Sequence, residues 1–401
     1  MLTQLANPRD WERDLGSAEL RELELYTQWA RRRLLERDVS IKDLKRAFFA
    51  NESLPQPPLL IPDFPARLVG AELRDYYVNT VTHYKAYCAG LARFGQDLAF
   101  TYTATWEYRL VETLGGELAD IQNKAPETTV YPIASSADLN RTPAIDYDDL
   151  VSGDLALKRY ADKKLGDLMG PGMFVTLDPF SEVASLLRDP QNLMLDLIDN
   201  PAFVHDLCSY MFEIQRQILR RVLAVGPIVL FAPGYLLMLS PRQFQEFAFP
   251  YIEKLIAEFP GVPMIIGSGG KANRLIEPFM KSSIPVPFID GASDLRLAVE
   301  KAKEYHKPLT VLFPRSVLMK GNRDEIRSTT RQLLGAAKGV PFYYWSEAIL
   351  GGDVPNPAID LFIEAYRDYA RFPLGESLEQ EPMRSPSLRR RSSGNKTVRM
   401  L

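Results

Sequence analysis

The sequence predicts a parallel (β/α)8 barrel, an α/β fold. Eight short apolar, β-rich runs recur along the chain, at residues 59–62, 97–102, 172–177, 227–232, 263–267, 286–290, 308–313 and 341–345. Most are followed by an amphipathic helical pattern, and strands that read as continuous apolar runs belong to a sheet covered on both faces. A length of 401 residues with 46% hydrophobic content suffices for one such barrel with additions. No glycine-rich phosphate fingerprint follows the first run, Leu59 to Pro62, which argues against a doubly wound dinucleotide fold.

In chain order, residues 17–36 carry Leu20, Leu23, Leu25, Trp29, Leu34 and Leu35 among acids and arginines, an amphipathic helix ahead of the barrel. A second short helix is expected from Ile41 to Phe49, before the breaker run Leu54-Pro55-Gln56-Pro57-Pro58. Residues 1–57 are thus a helical extension and 58–373 the barrel. Helices are expected at Leu73–Phe94, Pro201–Val225, Pro241–Phe259, Leu295–His306, Arg323–Lys338 and Ile359–Phe372. The stretch 120–155, rich in Thr, Asp and Pro, reads as an excursion within the second βα unit. Residues 374–401, with Pro, Ser and Arg and little apolar content, are expected to be a disordered basic tail.

A formal net charge of −3 gives no overall basic face, so nucleic acid is not an expected partner. The sequence has no basic-then-apolar leader, and no apolar run approaches the ~20 residues of a membrane span. The two cysteines, Cys88 and Cys208, sit inside helical apolar patterns, as in a reducing compartment. The expectation is a cytoplasmic monomer or homodimer acting on a small molecule, without a cofactor.

In such a barrel the chemistry lies where strands end and loops begin. That rule selects Tyr102, Trp106 and Glu107 after the second run, Asp178 and Phe180 after the third, and Tyr235 after the fourth. The later runs supply Gly267, Ser268, Gly269 and Lys271, then Asp290, Arg315, and finally Trp345 and Glu347. Glu107, Asp178, Asp290 and Glu347 are the candidate acids and bases, since burial raises a carboxyl's pKa toward the working range. The aromatic residues would cover a planar substrate, and Arg315 would fork its acid group. The run Gly267-Ser268-Gly269-Gly270-Lys271 has two readings: an anion-binding nest of backbone N–H groups, or a tight turn. No histidine or cysteine falls at a strand end, so no metal is expected.

Several segments resemble the uroporphyrinogen decarboxylase superfamily, in the right order. They are Ile41 to Ile61, Leu114-Gly115-Gly116-Glu117-Leu118, Asp178-Pro179-Phe180-Ser181, Leu197-Ile198-Asp199-Asn200-Pro201, Leu239-Ser240-Pro241-Arg242-Gln243-Phe244 with Pro250-Tyr251, and Val262 to Lys271. The resemblance implies a barrel enzyme, a decarboxylase or a methyltransferase. At the chemistry the chain departs from it. Gly267 and Gly269 stand where the thiol-methylating branch carries a His and a Cys for zinc, and glycine offers no donor. Trp106 stands where the decarboxylase branch has an Asp, Ser185 where it has a Tyr, and Gly234 where it has a Ser; Asp290 matches an Asp that the superfamily keeps. The expected protein is therefore a zinc-independent lyase of the decarboxylating kind, using acid–base chemistry on a small carboxylate. The alternatives are a cobalamin-type methyltransferase and a ligand-binding barrel without catalysis.

Overall fold

Apolar runs at the predicted positions form eight parallel strands of one sheet. The computed structural model describes residues 15–36, 59–60, 65–94, 99–100, 105–119, 124–168, 172–232, 234–337, 340–345 and 354–370. The strands are β1 (Leu59–Leu60), β2 (Ala99–Phe100), β3 (Glu117–Ala119), β4 (Glu127–Val130), β5 (Gly172–Thr176), β6 (Ile228–Phe231), β7 (Met264–Ser268), β8 (Val286–Asp290), β9 (Leu309–Leu312) and β10 (Phe342–Trp345). The sheet order is β1-β10-β9-β8-β7-β6-β5-β2, while β3 and β4 form a separate antiparallel hairpin. This is the order of a (β/α)8 barrel, with β1 and β2 on either side of the seam. Residues 61–64 and 101–104 lie outside the described residues.

Strands β5 to β9 are buried along their whole length. Side chains alternate between two faces. Phe174, Val229, Phe231, Ile266, Ile289 and Val311 pack into one cluster with Leu207, Met211, Leu255 and Phe279 from the helices, so this set faces outward. The intervening positions face the barrel axis. Register pairs them into rows: Val175, Leu230, Ile265 and Val286 in one, then Gly267, Phe288 and Thr310, then Asp290 and Leu312 toward the C-terminal rim.

The amphipathic N-terminal segment is the helix Ser17–Leu35. Its Leu23, Ala30 and Leu34 pack on Tyr84, Tyr87 and Leu91 of the helix Thr80–Phe94 and on Leu157 and Tyr160 of the helix Ser152–Leu165. The expected helix over 73–94 is interrupted at Asn79, whose extended backbone separates Leu73–Val78 from Thr80–Phe94. The excursion between β2 and β5 holds the β3–β4 hairpin and the helix Ser152–Leu165. The expected helix Ile41–Phe49 and the basic tail lie outside the described residues. Among the described residues no helix is long and apolar enough to cross a membrane.

Candidate active site

The rim above β5 and β6 is held by a buried polar chain. After β5, Asp178 caps the short helix Pro179–Glu182, with proline at its start fitting the missing N–H there. The Asp178 carboxylate accepts the Ser181 backbone N–H at 3.1 Å. Ser181 Oγ in turn accepts the backbone N–H of Tyr235 at 2.8 Å, across from β6. A Cβ at Gly234 would lie 2.4 Å from both Ser181 Cβ and Oγ, so only glycine admits this approach.

Behind the same strand end, Glu182 Oε1 accepts the Thr176 hydroxyl at 2.7 Å and the Leu177 N–H at 2.8 Å. Gln215 Nε2, on the helix Pro201–Val222, donates to Thr176 Oγ1 at 3.1 Å and to the Leu177 carbonyl at 2.8 Å. Glu182 Oε2 and Gln215 Oε1 are buried without a hydrogen-bond partner among the described residues. Burial pushes the Asp178 carboxyl up to about 6 and the Glu182 carboxyl up to about 7. The neighbouring Cys208 thiol is raised by burial and then by the Asp178 charge.

The segment continues as a π-helical turn, Val183–Leu187, closed by Arg188 N–H on the Val183 carbonyl at 2.9 Å. Across the rim, burial, then the Glu127 charge, hold the half-buried Tyr235 phenol above its ordinary range. Tyr131, just past β4, is pushed up to about 12 by burial and by Tyr235 beside it. The hairpin is tied here: Ile133 N–H donates to the Leu187 carbonyl at 3.1 Å, and Arg188 Nη1 to the Ala134 carbonyl at 3.0 Å. Arg188 Nε is itself fixed by Asp196 at 2.9 Å.

A second fastening joins the loops after β7 and β8. Asp290 Oδ2 accepts the Gly270 N–H at 2.9 Å and Oδ1 the Ala292 N–H at 2.7 Å. Ser293 Oγ accepts the Ala272 N–H at 2.9 Å and donates to the Gly270 carbonyl at 3.1 Å. The chain's own carboxylate therefore fills the place that the nest reading kept for a ligand anion at Gly270.

Several sequence-selected residues lie elsewhere than expected. Trp106 is fully buried, its ring centroid 6.5 Å from Phe174 on the helix-facing side of β5, and Phe180 is fully buried in the same cluster. Both are core, because the helix that starts after each strand turns these positions back against the sheet. Asp178 is buried, near enough to Cys208 for its charge to raise that thiol. Ser268 is fully buried in the helix-facing set, its Oγ donating to the Gly269 carbonyl at 3.2 Å. At Gly267 a Cβ would stand 1.9 Å from the Phe288 carbonyl oxygen and 2.8 Å from its ring, so that position offers no room to a ligand.

Other placements keep residues at the mouth. Asp290 stands in the inner row at the rim, 5% exposed, in register with Leu312, whose backbone pairs in turn with Trp345. Tyr235 is half-buried, Lys271 is exposed beyond Gly269, and Arg315 is half-buried at the start of the helix Arg315–Lys320 directly after β9. Glu107 is buried in the first turn of the helix Thr105–Thr113. Tyr102 and Glu347 lie outside the described residues. Ser181 and Tyr131 were not selected from sequence. Ser181 at the third helical position after an Asp-Pro start was the available signal, whereas the Gly234 approach arises only in the tertiary fold.

Among the described residues no three His, Cys, Asp or Glu side chains gather into a set that could hold a metal ion. A family model described as Uroporphyrinogen decarboxylase (URO-D) matches residues 42–369. The fold is similar to that of a methyltransferase from Methanosarcina mazei, with a TM-score of 0.69 and 15% identity, over 83% of this chain and 99% of that one. A B12-independent methionine synthase from Shewanella sp. W3-18-1, in complex with selenomethionine, matches with a TM-score of 0.48 and 12% identity, over 79% and 94% of the two chains. No curated protein matches in sequence.

Proposed function

From the premise that this chain belongs to the uroporphyrinogen decarboxylase (URO-D) family, we propose that it is a zinc-independent lyase of the decarboxylating kind, using acid–base chemistry on a small carboxylate with a planar body. The observation that carries the reading is Asp290, a carboxylate in the inner rim row whose two oxygens are each fixed by a backbone N–H. A carboxylate so held keeps its orientation while a substrate is bound, as a pre-organised base or charge must.

The other roles are assigned by position. Arg315 supplies a guanidinium to the substrate's acid group. Tyr235, whose phenol stays protonated well above neutral pH, donates a hydrogen bond beside it. In the reaction the bond to the departing carboxylate breaks, its electron pair stays on the substrate carbon, and a proton delivered at the rim takes the place of carbon dioxide. Glu107, buried after β2, is the candidate donor of that proton. The zinc of the family's thiol-methylating branch does not fit these residues: Gly267 and Gly269 bring no donor, and Phe288 occupies the space over Gly267.

A methyl-transfer reading draws on the likeness to the Methanosarcina mazei methyltransferase. One experiment separates the readings. The protein is incubated in deuterated water with a panel of aromatic and unsaturated carboxylic acids, and separately with methylcobalamin and a thiol. Carbon dioxide release with deuterium at the vacated carbon, lost in Asp290→Asn, supports the lyase. Corrinoid-dependent thiol methylation overturns it in favour of transfer, and binding without turnover of any acid favours a ligand-holding barrel.

A further inference from the structure

We propose that Asp178 and Ser181 are positioning residues that fix Tyr235 at the barrel mouth, Asp178 acting through the Ser181 backbone N–H that it accepts and Ser181 through the Tyr235 backbone amide. The proposal rests on the reading that Tyr235 faces substrate, and gives its placement a cause.

Cost and need do not match at Asp178. It is 1% exposed and enters no ion pair among the described residues. A helix cap needs only a hydroxyl or amide oxygen, and asparagine or serine caps about as well as aspartate without burying a charge. What the site uses is the acceptor rather than its charge: the Asp178 oxygen takes the Ser181 N–H at 3.1 Å and so sets where the Ser181 side chain stands. Held there, Ser181 Oγ accepts the Tyr235 N–H at 2.8 Å.

Gly234 completes the device. Because a Cβ there would lie 2.4 Å from the Ser181 side chain, the glycine lets the two loops close to hydrogen-bonding distance. The next residue, Tyr235, is thereby held through its backbone from the segment that follows β5. The other titratable groups facing Asp178 are Cys208 from the helix Pro201–Val222 and Glu182 from its own segment, and neither carries a positive charge that would compete for the carboxylate.

The test needs no substrate. At pH 8, amide hydrogen exchange is followed at Tyr235, and the Tyr235 phenol is titrated by NMR of ring-labelled tyrosine, with Tyr235→Phe identifying its signal. Ser181→Ala and Asp178→Ala should each speed exchange at Tyr235 at least about tenfold and let the phenol titrate closer to its ordinary range. Asp178→Asn, whose side-chain oxygen still accepts from Ser181, should retain both signatures. The amide of Val229, bonded to the Pro263 carbonyl at the far end of β6, should not change. If an alanine variant fails to fold, Gly234→Ala, whose methyl group displaces Ser181, should raise Tyr235 exchange in its place. Unchanged protection and titration at Tyr235, or equal loss at Val229, overturns the proposal. Failure here leaves the lyase reading standing, and a failed substrate screen leaves this assignment standing.

Discussion

Gly267 and Phe288 are register partners on β7 and β8, and the Phe288 carbonyl and ring together occupy the space where any side chain at 267 would begin. A glycine inside a strand often marks a close backbone approach of this kind. The same contact closes the strand position that carries a metal ligand in the family's thiol-methylating branch.

Gly267→Ala is expected to destabilise the fold by about 1–3 kcal/mol, the range for overpacking a filled interior, with a lower denaturant midpoint. The obstacle is backbone rather than a movable side-chain tip, so the upper part of that range applies. Gly267→His should fail to create a zinc site, checked by metal analysis of folded material. A stable alanine variant with an unchanged midpoint would contradict the packing of Phe288 over this position.

Thr310→Val should stabilise the protein. Thr310 lies next to Phe288 in the inner row, is fully buried, and its hydroxyl has no hydrogen-bond partner among the described residues. An isosteric methyl relieves an unmet polar group, worth about 1–3 kcal/mol. Urea unfolding of the two proteins side by side measures it, and a loss of stability would mean that the hydroxyl is bonded in solution.

The acid pair behind β5 predicts a pH dependence. Asp178 titrates near 6 and Glu182 near 7 when folded, above the ordinary values of 3.8 and 4.5. Folding therefore favours their protonated forms, so their contribution is fully present below about pH 4 and is lost as pH rises through about 6 to 7. Glu182→Gln should flatten that slope, gaining on the parent protein at pH 8 and not at pH 4. Thermal unfolding across this range is the measurement; parallel profiles for the two proteins would contradict it.

Asp290→Ala should release Gly270 and Ala292 together. Each loses a charged acceptor, and hydrogen bonds of that type contribute about 1.5–3 kcal/mol. The expected signature is faster amide exchange at both residues, with protection kept at Ile133, which is bonded across the other half of the rim. Protection lost equally at Ile133 would mean general loosening rather than a local release.

The strands were legible because strands buried on both faces read as unbroken apolar runs, and all eight fall where Leu59–Leu60 through Phe342–Trp345 were expected. The site was legible only in part. A strand-end position says that a residue is near the mouth, not which way it faces. Trp106, Phe180 and Ser268 share the strand-end address of Tyr235 and Asp290, yet helix starts and strand alternation turn the first three away from the axis. Asn79 also hid its break, since an extended residue between two helical patterns leaves their apolar spacing intact. The contact between Ser181 and Gly234 joins two separate loops, as does the bond from Tyr235 to Ser181 across 54 positions, and neither has a local signature.

The rim fastenings bear on how this barrel can be redesigned. The loop after β5 is bonded to the loop after β6, and the loop after β7 to the loop after β8. A single loop grafted from another barrel would arrive with half of a lock, stranding Ser181 or Asp290 against a surface that does not answer it. Successful transplants should travel as neighbouring pairs, so the smallest exchangeable piece of this mouth is two loops and the strands between them.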